Sequence, residues 1–403
     1  MESRFPKSDL QKVMLITRLS PYRPNNGTVT LLHRIAGLFQ EPWLTWVSLD
    51  NEKTGCTLSQ IEILSCPPPG KPYRLVAGRW GSFWCERFWG ELTARKLAYY
   101  CRLFSIDRIW TLAEERAGFV GRRLAQITGL PLHVTIHDHP MRSCQLNPDV
   151  PLWHVIRTKR HCRALLRAAN SVDTVSFSLA DYVRQKTLAQ VRIYPPQVYR
   201  AKSPPLQRKS DGVFRIGFCG ECHTGSNEIK VFLSWLKKIG GKFEFHAFGS
   251  RSLPAGVESE MKQFGNTVYH AFEPDWDRYI SALGTVDCFY IGAWFSPNMD
   301  LTVRYSFPSK TGPVLAAGIP IIAHGPGTWE LHKWLNLIPF GFAIESIDEN
   351  RPPKSLYDFI RFPDNRQYFA RAAAIAFQRW FQLPDDRDNR IGILPWQPKA
   401  GIL

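Results

Sequence analysis

Hydrophobic and polar residues follow one another along this chain in a repeated order: a short apolar segment, a polar turn and a longer segment with helical spacing. Residues 12–17 and 43–49 are apolar runs of strand length, and residues 28–39 have the i, i+3, i+4 spacing of an amphipathic helix. The same order recurs between residues 106 and 183. Apolar strands that alternate with helices predict parallel sheets with helices on both faces.

The pattern stops near the middle of the chain and then begins again at residues 214–220. The interruption contains four prolines, Pro195, Pro196, Pro204 and Pro205. Proline-rich, charged segments of this kind predict a linker, here over residues 201–212. A length of 403 residues suits two domains of ordinary size. We expect a first domain at 1–200, a second at 213–354, and a C-terminal helix and tail at 355–403.

Positive charge is concentrated in the first half of the chain. The net charge is +16; residues 1–205 carry 29 Lys and Arg against 15 Asp and Glu, and the rest carry 22 against 20. Two predicted helices, near residues 79–102 and 157–167, hold many of these cations, and aromatic residues interleave with the first set. This composition favours an anionic membrane surface as a partner. The alternative is a core helix with a solvated basic face. No nucleic-acid partner is expected, because no signature of a nucleic-acid module is present.

Other compositional features narrow the class of protein. No apolar run reaches the roughly 18 to 20 residues of a membrane-spanning helix, and the N-terminus lacks a signal-like segment. Nine cysteines without paired spacing indicate reduced thiols. We therefore expect a cytoplasmic protein, peripheral on the inner face of the membrane. Neither a metal nor a cofactor is expected.

Residues 304–324 contain the clearest candidate for a ligand site. Ser309, Lys310 and Thr311 stand where a helix would begin, before a small-residue helix, Pro320 and an apolar strand. Free backbone N–H groups, the positive end of the helix dipole and an ammonium group could converge there on an anion. Arg304 could supply a second cation, or it could form a surface salt bridge. Lys310 could likewise be a solvated lysine.

This segment resembles the Pro-Ser-Lys…Ala-x-Gly-x-Pro-hydrophobic signature of GT-B nucleotide-sugar glycosyltransferases, especially family 4-like members. The resemblance implies an α/β fold of two facing Rossmann-like domains, with a C-terminal helix that crosses back to the first domain. It also implies metal-independent, hexosyltransferase-type transfer from a nucleotide diphosphate-sugar donor to a lipid-linked or polysaccharide acceptor. Cell-surface polysaccharide synthesis is the process that this chemistry would serve.

The resemblance also implies which residues form the site. His137 and Asp138, which follow an apolar strand, match a pair that family members often carry, and we expect them to be catalytic. The alternative for His137 is a hydrogen-bonded structural histidine. Gly27 and Gly220 lie in loops that would approach the donor, together with Arg304, Ser309, Lys310 and Thr311. The strand and loop at 214–227 lack the Gly-x-Gly-x-x-Gly fingerprint of nicotinamide enzymes.

The chain departs from the family pattern at two positions. Many family 4 enzymes carry two glutamates with seven residues between them, and the second binds the donor ribose. Tyr305 and Pro313 occupy these positions here. A catalytically silent GT-B binding protein therefore remains an alternative. A nucleotide-sugar epimerase is a second one, because such enzymes share the two-domain architecture. The donor sugar, nucleobase, acceptor, linkage, stereochemical outcome and oligomeric state are left open by the sequence.

Overall fold

The computed structural model describes residues 12–18, 44–49, 62–66, 78–146, 149–201, 211–219, 226–249, 266–271 and 275–383, with single positions at 257, 259, 261 and 273. Side chains are described over most of these ranges, and in the long helix at 78–103 from residue 87 onward. The chain divides into two compact units between Tyr194 and Pro195, and the second unit ends at Leu383.

The first unit is built on a seven-stranded sheet in which all strand pairs are parallel, in the order β3-β2-β1-β4-β5-β6-β7. Strands β1, β2 and β5 are buried at every position, which explains why they read as continuous apolar runs. The strands are β1 Val13–Thr17, β2 Leu44–Ser48, β3 Glu62–Ser65, β4 Arg108–Leu112, β5 Leu132–Ile136, β6 Ser171–Thr174 and β7 Gln190–Ile193.

Helices connect these strands and cover the sheet. Gly129 ends the second helix with φ 73°, a left-handed conformation that favours glycine. Ser176 caps the fifth helix by accepting a hydrogen bond from the Leu179 N–H at 3.2 Å. The described helices of this unit are α1 Gly78–Leu103, α2 Glu115–Thr128, α3 Arg142–Leu146, α4 Leu152–Ala168 and α5 Phe177–Arg184.

The second unit contains a six-stranded parallel sheet in the order β10-β9-β8-β11-β12-β13. Its strands are β8 Val213–Cys219, β9 Lys242–Phe248, β10 Thr267–His270, β11 Cys288–Gly292, β12 Ile321–His324 and β13 Gly341–Ile344. Its helices include α6 Ser226–Ile239, α7 Trp276–Leu283, α8 Asp300–Tyr305, α9 Thr311–Ala316, α10 Glu330–Leu337, α11 Lys354–Arg361 and α12 Pro363–Ala376, which continues as a π-helical turn at Phe377–Phe381.

The two parallel sheets confirm the predicted fold class. Three strands that the pattern did not predict, β3, β7 and β13, lie at sheet edges. The segment that follows Tyr194 already belongs to the second unit, where the Val198 N–H donates to the Phe381 carbonyl at 2.8 Å. Most of the predicted linker, residues 202–210, lies outside the described residues. Helix α12 contacts β13 and α9 of its own unit, and its crossing to the first unit stays a prediction.

In each sheet the strand order reverses once: the chain adds strands on one side of its first strand and then continues on the other side. In the first sheet this switch point lies between β1 and β4, and in the second between β8 and β11. Ligands of open parallel sheets bind at the carboxyl ends of the strands beside such a point. The carboxyl edges are therefore where a functional site is sought. Among the described helices, none is long and apolar enough to cross a membrane.

Candidate functional site

His137 and Asp138 follow directly after β5 and therefore lie at the carboxyl edge of the first sheet. The His137 side chain is half-buried, and its Nε2 atom is inaccessible and has no hydrogen-bond partner. Burial lowers the pKa of His137, while the carboxylates of Asp173 and then Asp138 oppose this shift. The imidazole is thus held neutral near pH 7, in a form that can accept a proton or a hydrogen bond.

Asp138 is held in place by the short helix that follows it. Its Oδ2 atom accepts a hydrogen bond from Nη1 of Arg142 at 2.5 Å, and both side chains are partly exposed. The neighbouring His139 is buried against the Tyr182 ring, with ring centroids 4.4 Å apart. Burial, with a further effect from Lys186, lowers the pKa of His139 to about 4. His139 is thus part of the packing beneath the candidate site.

A buried polar network connects three neighbouring strands below His137. Asp173 Oδ1 accepts from the Thr135 hydroxyl at 2.5 Å and lies 2.8 Å from Nε2 of His133. Thr135 Oγ1 in turn accepts from Nε1 of Trp110 at 2.8 Å. Nδ1 of His133 lies 2.8 Å from the Ser171 hydroxyl. This network was not predicted from the sequence, although polar residues inside apolar strands were the available signal.

The switch point of the first sheet also carries a carboxylate. Arg18 directly follows β1, and its backbone N–H donates to Oε2 of Glu114 at 3.2 Å. Glu114 is the N-cap residue of α2 and follows β4 closely. A carboxylate at this position can accept hydrogen bonds from hydroxyl groups in the crevice. The sequence analysis did not single out Glu114.

In the second unit, three of the predicted donor-binding residues lie at the start of α9. The helix begins at Thr311 with Lys310 as its N-cap residue. Ser309 is exposed and Lys310 is half-buried, whereas Thr311 is fully buried and its hydroxyl has no hydrogen-bond partner. A Cβ on Gly312 would come within 2.6 Å of the Pro196 carbonyl oxygen, so α9 begins in close contact with that segment. Only Ser309 and Lys310 present side chains that solvent or a ligand can reach directly.

Arg304 is engaged in a local ion pair. Its Nη2 atom lies 3.2 Å from Oδ1 of Asp300, one turn earlier in α8, and both side chains are partly exposed. This is the surface salt bridge that the sequence left as an alternative to donor binding. A pair of this kind between exposed residues is weak, so it does not prevent Arg304 from contacting a ligand.

A buried carboxylate lies beside the switch point of the second sheet. Glu228 is in the first turn of α6, and its Oε1 atom accepts from the Phe295 N–H at 3.2 Å. The residue is 8% exposed and its Oε2 atom is buried with no hydrogen-bond partner. Phe295 follows β11 by three residues, so the contact joins both sides of the switch point. Glu228 can accept a further hydrogen bond, and the sequence analysis missed it.

The end of β12 is fixed by a buried histidine. Nε2 of His324 lies 2.9 Å from the Ser346 carbonyl and therefore donates, while Nδ1 accepts from the Tyr290 hydroxyl at 2.9 Å. Burial lowers the pKa of His324 to about 4, which keeps the ring neutral. Glu345, after β13, contacts the loop at Gly327, where a Cβ would meet its Oε2 at 2.6 Å. These contacts hold the carboxyl ends of β12 and β13 in place, at the edge of the sheet where a ligand would lie.

The predicted site residues thus fall on the two carboxyl edges, with two exceptions. Gly27 and Gly220 lie outside the described residues. His137 and Asp138 belong to the first unit, and Arg304, Ser309, Lys310 and Thr311 belong to the second. Among the residues that the structure describes, no group of His, Cys, Asp and Glu could hold a metal ion.

Comparison with known proteins gives matches at the level of structure. No protein-family model matches the sequence, and no curated protein matches it significantly. A glycosyltransferase from Rickettsia africae superposes with a TM-score of 0.60 at 13% identity, covering 93% of this chain and 95% of that one. HepE from Anabaena, solved in complex with UDP and glucose, gives a TM-score of 0.58 at 13% identity, with 92% and 96% covered.

A third structure is WaaG, a glycosyltransferase involved in lipopolysaccharide biosynthesis. It gives a TM-score of 0.57 at 13% identity, covering 91% of this chain and 95% of that one. The matched proteins are GT-B glycosyltransferases, and each superposition extends over both parallel-sheet units. Identities this low establish the architecture only. The protein has the GT-B fold.

Proposed function

We propose that this protein is a glycosyltransferase that moves a sugar from a nucleotide diphosphate-sugar donor to an acceptor. The observation that carries this proposal is the GT-B fold over more than nine-tenths of the chain, shared with glycosyltransferases such as HepE, whose structure contains UDP. Both carboxyl edges carry polar groups suited to such a ligand. We further propose a lipid-linked or polysaccharide acceptor, as in cell-surface polysaccharide synthesis.

The donor diphosphate would bind at the start of α9. Lys310 supplies an ammonium group and Ser309 a hydroxyl, with Arg304 in the preceding helix α8, and the loops at Gly27 and Gly220 would approach the same donor. The Thr311 side chain is fully buried and its N–H donates to the Pro308 carbonyl at 3.0 Å, so Thr311 would hold the start of the helix in place rather than contact the donor. Tyr305 and Pro313 stand where family glutamates would contact the donor. Glu228, with one unpartnered carboxylate oxygen, offers a replacement acceptor for a donor hydroxyl.

The reaction would proceed without a metal. Departure of a nucleoside diphosphate develops negative charge, which fixed cations such as Lys310 stabilise. His137 is neutral and can accept a proton from the acceptor hydroxyl, and Asp138, oriented by Arg142, can hold that hydroxyl or the sugar. Both residues would act on the reacting groups more than on the nucleotide.

The donor site can be tested by calorimetry with UDP, GDP, ADP and dTDP. Lys310→Ala should weaken binding of the preferred nucleotide by about 1.5 to 3 kcal/mol, the contribution of a hydrogen bond to a charged group. His137→Ala should lower turnover far more than nucleotide affinity. Lys242→Ala is the matched control, since Lys242 begins β9 at the opposite edge of the same sheet. Unchanged affinity in Lys310→Ala for every nucleotide would contradict the proposed donor site.

The alternatives predict different products. NMR of nucleotide sugars incubated with the protein alone would reveal an epimerase by the appearance of a second sugar. Nucleotide binding without turnover, with any acceptor offered, would identify a silent binding protein, the alternative that Tyr305 and Pro313 favour. Release of a nucleoside diphosphate that depends on an added acceptor would support the transferase.

We also propose that helix α1 attaches the protein to an anionic membrane surface. Four large side chains on one face of α1 are each more than half exposed, at the helical positions 88, 92, 99 and 103. They are Phe88, Leu92, Tyr99 and Leu103. Helix α2 packs between α1 and α4, and the three helices together carry 13 Lys and Arg against 3 Glu. An apolar stripe within a basic helical layer suits a surface of anionic lipid.

Vesicle sedimentation tests this attachment. Binding to phosphatidylglycerol-rich vesicles should weaken strongly as salt rises, because each cation contributes about 1 kcal/mol that salt screens. Phe88→Ser with Leu92→Ser should reduce binding by more than about tenfold, since each buried side chain contributes about 1.5 to 3 kcal/mol. Leu337→Ser with Ile375→Ser, at exposed apolar positions of the second unit, is the control. Equal binding by both double variants would favour a solvated helix.

A further inference from the structure

A cavity of about 570 Å³ lies in the first unit, away from His137. Its walls are the C-terminal half of α4 and the turn that joins α5 to β7. Two lining residues, Ala169 and Ala189, stand just before β6 and β7, so the cavity lies at the amino edge of the sheet. His137 lies at the carboxyl edge. The cavity is therefore distinct from the candidate active site.

Four cations line this cavity and no carboxylate does. Arg163 and Arg167 project from successive turns of α4, and within the described part of the chain neither forms an ion pair. Arg184 pairs with Asp181 at 2.9 Å, and both of these side chains are more than half exposed. The Lys186 ammonium lies 3.8 Å from the centre of the Tyr182 ring. Among the described ion pairs only that of Arg184 with Asp181 offsets a lining cation, so the cavity keeps a net positive charge.

The turn that holds these cations is anchored to α4. The Thr187 hydroxyl donates to the Leu166 carbonyl at 2.7 Å and accepts from the Ala189 N–H at 3.0 Å. The Lys186 N–H donates to the Val183 carbonyl at 2.8 Å. The Lys186 backbone is therefore fixed against α4, the helix that carries Arg163 and Arg167. The fixed backbone of this turn forms one wall of the cavity, and the exposed side chains of Arg163, Arg167 and Arg184 lie around it.

We propose that this cavity binds a phosphate group. Two guanidinium groups can each present paired N–H donors to phosphate oxygens, and an ammonium supplies a point charge. Like charges around a cavity repel one another, and a multiply charged anion relieves this repulsion. Leu188 is fully exposed beside the cations, at the rim of the cavity. The phosphate can belong to a soluble compound or to a lipid headgroup, and the exposed leucine suits the second source.

The experiment compares two double variants of the full chain that change the net charge equally. Arg163→Gln with Arg167→Gln removes two cavity cations. Lys159→Gln with Arg160→Gln removes two exposed cations of the same helix that do not line the cavity. One arm titrates inorganic pyrophosphate by calorimetry, and the other measures sedimentation with phosphatidylcholine vesicles that contain phosphatidic acid. Both arms are repeated in Lys310→Ala, which separates this cavity from the proposed donor site.

The cavity variant should weaken binding by about tenfold or more in at least one arm, and the control by less than about threefold. Loss in the pyrophosphate arm indicates a soluble ligand, and loss confined to the vesicle arm indicates a lipid headgroup. Binding should persist in Lys310→Ala. Equal losses in the two double variants, no binding in either arm, or binding that only Lys310→Ala abolishes would each overturn the proposal. Both arms measure binding, so the outcome does not depend on whether the proposed donor site is active.

Discussion

The buried network around Asp173 should contribute measurably to the unfolding free energy of the first unit. Asp173 is 2% exposed and accepts hydrogen bonds from Thr135 at 2.5 Å and from His133 at 2.8 Å. Asp173→Ala removes the acceptor of both hydrogen bonds from a buried site. A hydrogen bond to a charged group contributes about 1.5 to 3 kcal/mol, and breaking a buried pair costs about 3 to 5 kcal/mol. We expect the first unit to lose about 3 to 5 kcal/mol of unfolding free energy.

Two further variants separate charge from shape. Asp173→Asn keeps the side-chain volume and one acceptor oxygen, so it should cost about 1 to 3 kcal/mol. Asp181→Ala is the matched control, because it removes an aspartate whose side chain is 68% exposed and pairs with Arg184. An exposed pair of this kind contributes less than about 1 kcal/mol. The expected order of destabilisation is therefore Asp173→Ala, Asp173→Asn and then Asp181→Ala.

Urea unfolding followed by tryptophan fluorescence would measure these differences. Because the chain has two units, a single transition cannot be assumed, and hydrogen exchange of residues 132–136 and 171–174 would assign the loss to the first sheet. The reasoning fails if Asp173→Ala lowers the protection of these strands no more than Asp181→Ala does. That result would mean that relaxation or water satisfies the freed donors of Thr135 and His133.

Three other predictions follow from burial and backbone contacts. Burial lowers the pKa values of His139, His161 and His324 to about 4, so below pH 6.5 the unfolded chain binds protons that the folded protein does not. The free energy of unfolding should therefore fall by about 1.3 kcal/mol per histidine between pH 7.5 and 5.5. Urea midpoints that do not change over this range would contradict the prediction. Asp173→Asn removes the carboxylate with the largest opposing effect on His137, so NMR titration should show a lower His137 pKa, not an equal or higher one. Gly312→Ala should destabilise the second unit by about 1 to 3 kcal/mol because the new Cβ meets the Pro196 backbone. Gly129→Ala should destabilise the first unit by about 1 to 2 kcal/mol, because its Cβ meets no atom but its backbone has φ 73°. Thermal unfolding of the two variants measures both losses.

The sequence by itself predicted the elements whose pattern is local. Strands β1, β2 and β5 are buried on both faces, so most of their positions are apolar and each reads as a near-continuous run, although β5 also contains His133 and Thr135. Gly129 marked the end of α2 because a left-handed residue there favours glycine. The edge strands β3, β7 and β13 were missed because four residues are too few to show a clear period, and β3 and β7 also contain polar residues. The chain's two parallel-sheet units followed from the repeated order and its interruption.

Contacts between residues distant in the sequence were decided only by the tertiary structure. Asp173 meets His133 because the register of β5 on β6 places Ser171 and Asp173 beside His133 and Thr135. Glu228 meets Phe295 because the sheet changes direction between β8 and β11. The same holds for the cavity, where α4 and the α5–β7 turn bring Arg163 close to Lys186. Apolar periodicity reports which face of an element is buried, but strand order and register determine which polar groups share that face, and those depend on the packing of the whole sheet.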